Sequence, residues 1–241
     1  MTVITDSTHF NALHLSAPDI VDRSASDVVA PTIVPIRASG ASAPVFCIHP
    51  IDGLASRYAA LAEHIGFDHP VYGVQIAGAG ERAVSIGALA ARYADDILVV
   101  ATAGPVHLLG LAFGGVLAHA IAVELQGRGV TVLSVTLLAS DPMPRDGSGC
   151  SIRQQHELLA GMGDDIDRSR AEELLAAAAH NENLASKHFP GIYVGTALVV
   201  SNIGSDAGSA WHAFVSGTVS KFEVPDTAAF GLVGALVDRY L

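Results

Sequence analysis

The most chemically suggestive segment of this sequence is built around a residue that cannot react. Residues 106–116, VHLLGLAFGGV, read as a buried strand running into a nucleophile elbow, and the position that should carry the nucleophile holds Ala112. In a G-x-S-x-G elbow the central residue sits on a strained strand-to-helix turn, and small residues on either side let strand and helix approach closely. Gly110, Gly114 and Gly115 meet that steric demand around Ala112. A methyl group has no proton to give up and forms no covalent acyl intermediate. The elbow is drawn and its reactive atom is missing.

Other chemistries find less support. The net charge of −11, with no Lys/Arg cluster to neutralise phosphates, argues against a nucleic-acid partner. The histidines are scattered: His9 and His14, like His64 and His69, are five apart and share no helical face. No Cys/His grouping has zinc-ligand spacing, so neither a metal nor another cofactor is expected. Cys47 and Cys150 are too few for a disulfide framework, and Cys47 falls in an apolar run as a reduced core residue would. No apolar run reaches about 18 residues without a charge or a Gly/Pro break, which argues against a membrane span. Residues 1–30 have neither a basic start nor an apolar stretch of signal-peptide type, so the expected compartment is the cytoplasm.

The elements that must position the elbow alternate. Half of the residues are hydrophobic, enough for one large core in 241 residues. Residues 1–30 are polar and aperiodic and read as a flexible leader, followed by a single domain over 31–241. Short apolar runs at 32–37, 44–49, 71–76, 107–111, 132–138, 193–201 and 219–224 predict strands, mostly covered on both faces. Between them, helical spacing covers 56–65, 86–100 and 113–126, the last ending at the stop signal Gly127-Arg128-Gly129. This alternation predicts an α/β fold with a mostly parallel, doubly wound sheet. A Pro/Gly-rich stretch at 141–149 breaks the pattern, and predicted helices at 152–162 and 170–180 form an insertion over the carboxyl edge, a lid spanning about 141–190. A closing helix is expected over 230–241.

Five stretches now carry a resemblance. IVPIR at 33–37, PVFCIHP at 44–50, YAALA at 58–62, PVYGVQ at 70–75 and HLLGLAFGGVLAH at 107–119 occur in the order seen in the thioesterases of nonribosomal-peptide and polyketide assembly lines. The sequence resembles that family across roughly residues 31–241, which implies the α/β-hydrolase fold and a Ser-His-Asp triad. The family's serine falls on Ala112. Its aspartate, in a Leu-Leu-Asp motif, falls on Ala139, because this chain reads Leu137-Leu138-Ala139. Its histidine follows the last strand and falls at Ala228, and no histidine occurs after His212. A single alanine could be an engineered knock-out, whereas the loss of acid and base as well points to natural divergence.

The resemblance also implies an oxyanion hole of backbone N–H groups, here those of Phe113 and of Ile51 in the loop 49–53. Asp52 stands where the family carries a glycine, either as a solvated loop residue or as a general base. His49 either fixes that loop or acts as acid or base. Asp226 and Thr227 flank the vacant histidine position and are further candidates for substituted chemistry. His119, two turns past the elbow, reads as structural, and His180 and His188 fall in the lid. Two classes of function stay open. One is a repurposed enzyme that binds an acyl, polyketide or peptide intermediate and promotes a non-hydrolytic step such as cyclisation. The other is an accessory protein that docks a carrier protein or holds a product, to which a thioesterase inactivated by engineered alanines is a third alternative.

Overall fold

The structure, a computed structural model, describes residues 32–76, 82–102, 104–143, 168–205 and 208–241. The leader, the 152–162 helix, Cys150 and residues 144–167 of the predicted lid lie outside the described residues. Seven strands form one sheet: β1 (Ile33–Arg37), β2 (Val45–Ile48), β3 (Val71–Val74), β4 (Val106–Leu111), β5 (Val132–Leu138), β6 (Tyr193–Asn202) and β7 (Val215–Val224). Their spatial order is β1-β3-β2-β4-β5-β6-β7. Only the β1–β3 pairing is antiparallel.

Among the described residues, five α-helices accompany the sheet: α1 (Tyr58–Ala62), α2 (Ile86–Ala101), α3 (Phe113–Gly127), α4 (Arg168–Ser186) and α5 (Phe230–Asp238). The buried residues separate into two clusters, one drawing on α2 and α3 and the other on α1 and α5. Helices thus cover both faces of the sheet, which is why β2 is apolar at every position and wholly buried. Helix α2 starts at Ser85, whose side chain accepts from the Ala88 N–H at 3.1 Å, and turns Leu89, Tyr93, Ala94 and Ile97 inward. Helix α3 is buried over most of its circumference and ends where Gly129 adopts φ 79°.

Three elements depart from the sequence-based expectation by four residues or more, among them α4, which runs to Ser186 where an end at 180 is expected. The helix expected over 56–65 is shorter, because the N–H groups of His64 and Ile65 bond three residues back, to Leu61 and Ala62. Strand β7 begins four residues earlier than expected: Ser216, Gly217 and Thr218 carry no apolar pattern, and their pairing with Val194–Thr196 of β6 supplies the order. Sequence reading also omitted the 3₁₀ turn Ser209–Ala213, which places Trp211 fully in the core.

From β2 the chain moves outward to β3, then returns to place β4 on the other side of β2. The crevice between the carboxyl ends of β2 and β4 is therefore the topological switch point, where open α/β sheets bind ligands.

Candidate functional site

Two loops meet at that switch point. Ile48 of β2 and Gly110 of β4 are register partners, so the loop 49–53 and the elbow leave the sheet side by side. Between them stands Tyr58 of α1, whose buried hydroxyl donates to Ile48 O at 2.7 Å and accepts from the Leu111 N–H at 2.9 Å. One phenol satisfies a donor and an acceptor left over as the two strands diverge.

The elbow has the backbone its sequence implies. Ala112 adopts φ 51°, ψ −114°, a conformation costly for any residue with a side chain. Its N–H donates to Leu138 O at 2.8 Å, and its carbonyl accepts from Gly115 at 3.0 Å. A Cβ on Gly110 would lie 2.0 Å from Gly114 O, and one on Gly114 would lie 2.4 Å from Ile48 O. Both glycines are thus required by close backbone approach. Ala112 itself is exposed to the cleft, and Phe113 opens α3, so its N–H lacks an intrahelical acceptor.

The facing loop is held from beneath by His49. Its Nδ1–H donates to Pro50 O at 2.6 Å, and its Nε2 accepts from the Tyr93 hydroxyl at 2.9 Å. The ring lies against Phe113 and is fully buried, which pushes its pKa down to about 4. With both ring nitrogens engaged, His49 is a neutral fastener. Pro50 O also accepts from the Gly53 N–H at 3.1 Å. Because the peptide is planar and trans, the Ile51 N–H points away from these anchors.

Asp52 is not a solvated loop residue, since it is only 5% exposed. Its Oδ1 accepts from the Leu54 N–H at 3.0 Å and its Oδ2 from the Arg57 guanidinium at 3.1 Å. The buried carboxylate is thereby paired and spent on the loop's own turn.

Farther along the edge lie the described residues at the ends of β5, β6 and β7. Ala139 follows β5 with φ 43°, and its N–H donates to Val200 O at 2.7 Å. Ala228 is exposed on the turn before α5. Its N–H donates to Asp226 Oδ1 at 2.8 Å, while the Thr227 N–H donates to Asn202 Oδ1 at 2.8 Å. Asp226 is therefore engaged in an Asx turn and Thr227 is buried. Ser140 and Ser201 bury hydroxyls that find no partner among the described residues. Among those residues no group of three His, Cys, Asp or Glu side chains comes together.

The structure also places three further histidines named from the sequence, His119, His180 and His188. His119 is buried against Trp211, its Nε2–H donates to Phe214 O at 3.0 Å, and burial pushes its pKa down to about 4. His180 donates from Nε2 to Ala83 O at 2.9 Å, and burial lowers the pKa of half-buried His188. Sequence reading missed the hydroxyls of Tyr58 and Tyr93, and it missed Asn181 of α4. Asn181 is buried, and its Nδ2 donates to Ile51 O at 2.9 Å. No local sequence signal announces these contacts, which join residues 10 to 130 positions apart.

With the elbow's geometry in hand, the comparison with known proteins is decisive at the level of family. Residues 43–192, more than half of the chain, match the family described as Thioesterase domain. The chain belongs to that family. The thioesterase relatives include a dimodular nonribosomal peptide synthase of Bacillus subtilis (strain 168), 40% identical over 123 residues that cover 50% of this chain and 5% of the relative. Malpinin synthetase of Mortierella alpina is 31% identical over 177 residues, covering 72% of this chain and 2% of the relative. The chain therefore spans a small fraction of the synthetases it matches. Among solved structures, the thioesterase domain of NocB from the nocardicin cluster superposes with a TM-score of 0.70 at 20% identity, covering 87% of this chain and 97% of that one. A four-domain nonribosomal peptide synthetase, AB3403, bound to AMP and glycine, gives 0.74 at 18% identity, covering 88% and 20%. At these identities the likeness is one of fold, the thioesterase form of the α/β-hydrolase sheet. No helix among the described residues is long and apolar enough to cross a membrane.

Proposed function

We propose that this thioesterase-family chain binds a flexible acyl, polyketide or peptide intermediate of natural-product biosynthesis and promotes a non-hydrolytic step such as ring closure, without a covalent acyl-enzyme. The observation that carries the reading is the elbow itself: Ala112 keeps φ 51° with no nucleophile to aim. Such a conformation costs on the order of 1–3 kcal/mol, and in this reading what it still delivers is the Phe113 N–H, a helix-start donor without an intrahelical acceptor, acting together with the Ile51 N–H. Two fixed donors favour a substrate carbonyl that gains negative charge as the substrate's own hydroxyl or amine adds to it. Holding both ends of one chain in reacting geometry removes up to roughly 7–11 kcal/mol of barrier, a contribution that needs no side-chain nucleophile.

The vacated triad positions are Ala112, Ala139 and Ala228. Of the substitutes considered, Asp52 is ion-paired, His49 has both nitrogens engaged and Asp226 holds a turn. That pattern favours catalysis by shape and carbonyl polarisation over a dedicated side-chain base. Delivery of the substrate on a carrier protein belongs to the same proposal, because the relatives are multidomain synthetases.

The test incubates the chain with octanoyl-N-acetylcysteamine and with the linear intermediates of its own pathway. The expected result is thioester loss near the buffer rate, conversion of a linear intermediate to an isomer, and abolition of that conversion by Ala112→Trp, which fills the cleft. Restoring Ala112→Ser alone adds little hydrolysis, whereas Ala112→Ser, Ala139→Asp and a histidine at Ala228 together add more, since triad members act as a unit. Rapid thioester hydrolysis by the unaltered chain overturns the proposal. Binding without conversion replaces it with the accessory-protein reading.

A further inference from the structure

We propose that Asn181 is a positioning residue for the oxyanion loop, so that helix α4 sets the direction of the Ile51 N–H from above while His49 sets it from below. The inference rests on the reading of Ile51 as a carbonyl-polarising donor and extends the apparatus to an element outside the sheet edge.

Residue 51 lies between two peptide planes. The first, shared with Pro50, is fixed by two donors on Pro50 O, His49 Nδ1–H at 2.6 Å and Gly53 N–H at 3.1 Å. The second, shared with Asp52, is fixed by Asn181 Nδ2 on Ile51 O at 2.9 Å. Only the φ and ψ of Ile51 separate the planes, and with both planes anchored neither dihedral is free to turn. A donor held this way needs no reorganisation when charge develops on the carbonyl in front of it.

The choice of residue supports the same conclusion. An asparagine inside a helix competes with the backbone for hydrogen bonds, and burying its amide is costly unless the amide is bonded. At 1% exposure on α4, an apolar side chain would be the default. What asparagine adds is a donor to one carbonyl, in the one loop that faces the elbow. His180, the preceding residue, ties α4 to a different segment through Ala83 O at 2.9 Å. It thereby provides a control for the anchoring of α4 as such.

The experiment uses the full chain with Asn181→Leu, Asn181→Asp and His180→Ala. Asp is isosteric and acceptor-only when ionised, and it serves should the leucine not pack. Two signals are read: amide hydrogen exchange at Gly53, which reports the turn closed on Pro50 O, and the infrared carbonyl band of bound octanoyl-N-acetylcysteamine labelled with carbon-13 at the thioester carbon. Both Asn181 variants are expected to speed Gly53 exchange about fivefold or more, the equivalent of one hydrogen bond. They should also return the carbonyl band at least halfway to its frequency in water while changing affinity less than about threefold, since the lost bond does not touch the ligand. His180→Ala should leave both signals in place. Equal responses from Asn181 and His180 variants, or none from either, overturn the proposal. If the unaltered chain neither binds the thioester nor shifts its band, the polarising role of the pocket fails, and Gly53 exchange alone then decides for or against Asn181.

Discussion

The carboxyl edge of the sheet has two halves of opposite character. Where β2 and β4 end, nearly every polar group is engaged: Tyr58 bridges the strands, His49 and Asn181 anchor the facing loop, and Asp52 is paired with Arg57. Where β5, β6 and β7 end, the described residues include Ala139, Ala228 and two serine hydroxyls without partners among them, while Asn202 and Asp226 are spent on turn N–H groups. The first half carries the backbone N–H groups of Phe113 and Ile51 that the proposed function calls on, groups which the fold itself supplies and single substitutions seldom remove. The second half, in the thioesterase family, works through side chains, which one codon change can erase while the sheet stays whole. On the proposed function, such a site loses its proton-transfer side chains and keeps its capacity to polarise a carbonyl.

The sharpest way to break this contrast is at the contact between the two loops. Helix propensity favours Gly114→Ala by about 1 kcal/mol. Its new Cβ would lie 2.4 Å from Ile48 O and 2.8 Å from His49 O, both backbone atoms that cannot rotate away. The expected outcome is a loss exceeding roughly 4 kcal/mol, or failure to fold, read by urea unfolding. A neutral result would mean that elbow and loop are not in the described contact.

Acid probes buried rings in several parts of the core, His49 beneath the facing loop among them. Burial holds His49, His107 and His119 down to about 4, against about 6.5 in an unfolded chain. Between those values the unfolded state binds protons that the folded state refuses. Stability is thus complete above about pH 6.5 and falls as pH is lowered toward 4. Each such histidine costs roughly 2 kcal/mol by pH 5, measurable as a fall in the urea midpoint. A flat profile from pH 7 to pH 5 would show that these rings are hydrated.

The smallest effects separate the halves most directly. Tyr58→Phe leaves Ile48 O and the Leu111 N–H unsatisfied in the core and is expected to cost about 1–3 kcal/mol. Ser201→Ala removes a hydroxyl with no partner among the described residues and is expected to change stability by less than about 0.5 kcal/mol. Similar costs in thermal unfolding of the two variants would erase the distinction between an engaged and an emptied half.

What the sequence disclosed follows the range of the interactions concerned. The elbow was legible because its glycines answer a local steric demand within six residues, and β2, β4 and β5 were legible because continuous apolar runs encode burial on both faces. The start of β7 was not, since Ser216 and Thr218 take their order from a neighbouring strand. Tyr58 was visible only as an apolar position on a helix, its hydroxyl being assigned a task by residues that the fold brings to it. Asp52 was read as solvated or basic because its partner five residues away, Arg57, has no obligation in sequence to turn back. Asn181 lies 130 residues from the carbonyl it holds, and no pattern around it marks the contact.

Trp211, the sole tryptophan of the chain, donates from its indole N–H to Ser140 O at 2.9 Å and packs on the His119 ring with centroids 4.9 Å apart. The indole emission of the protein, distinct from that of the five tyrosines, therefore comes from one fluorophore, sealed beside the residue that follows Ala139. Emission near that of an indole in hydrocarbon, quenched when His119 takes a proton, makes the emptied half its own optical gauge: a ligand that reorders the end of β5 reports its arrival without a label.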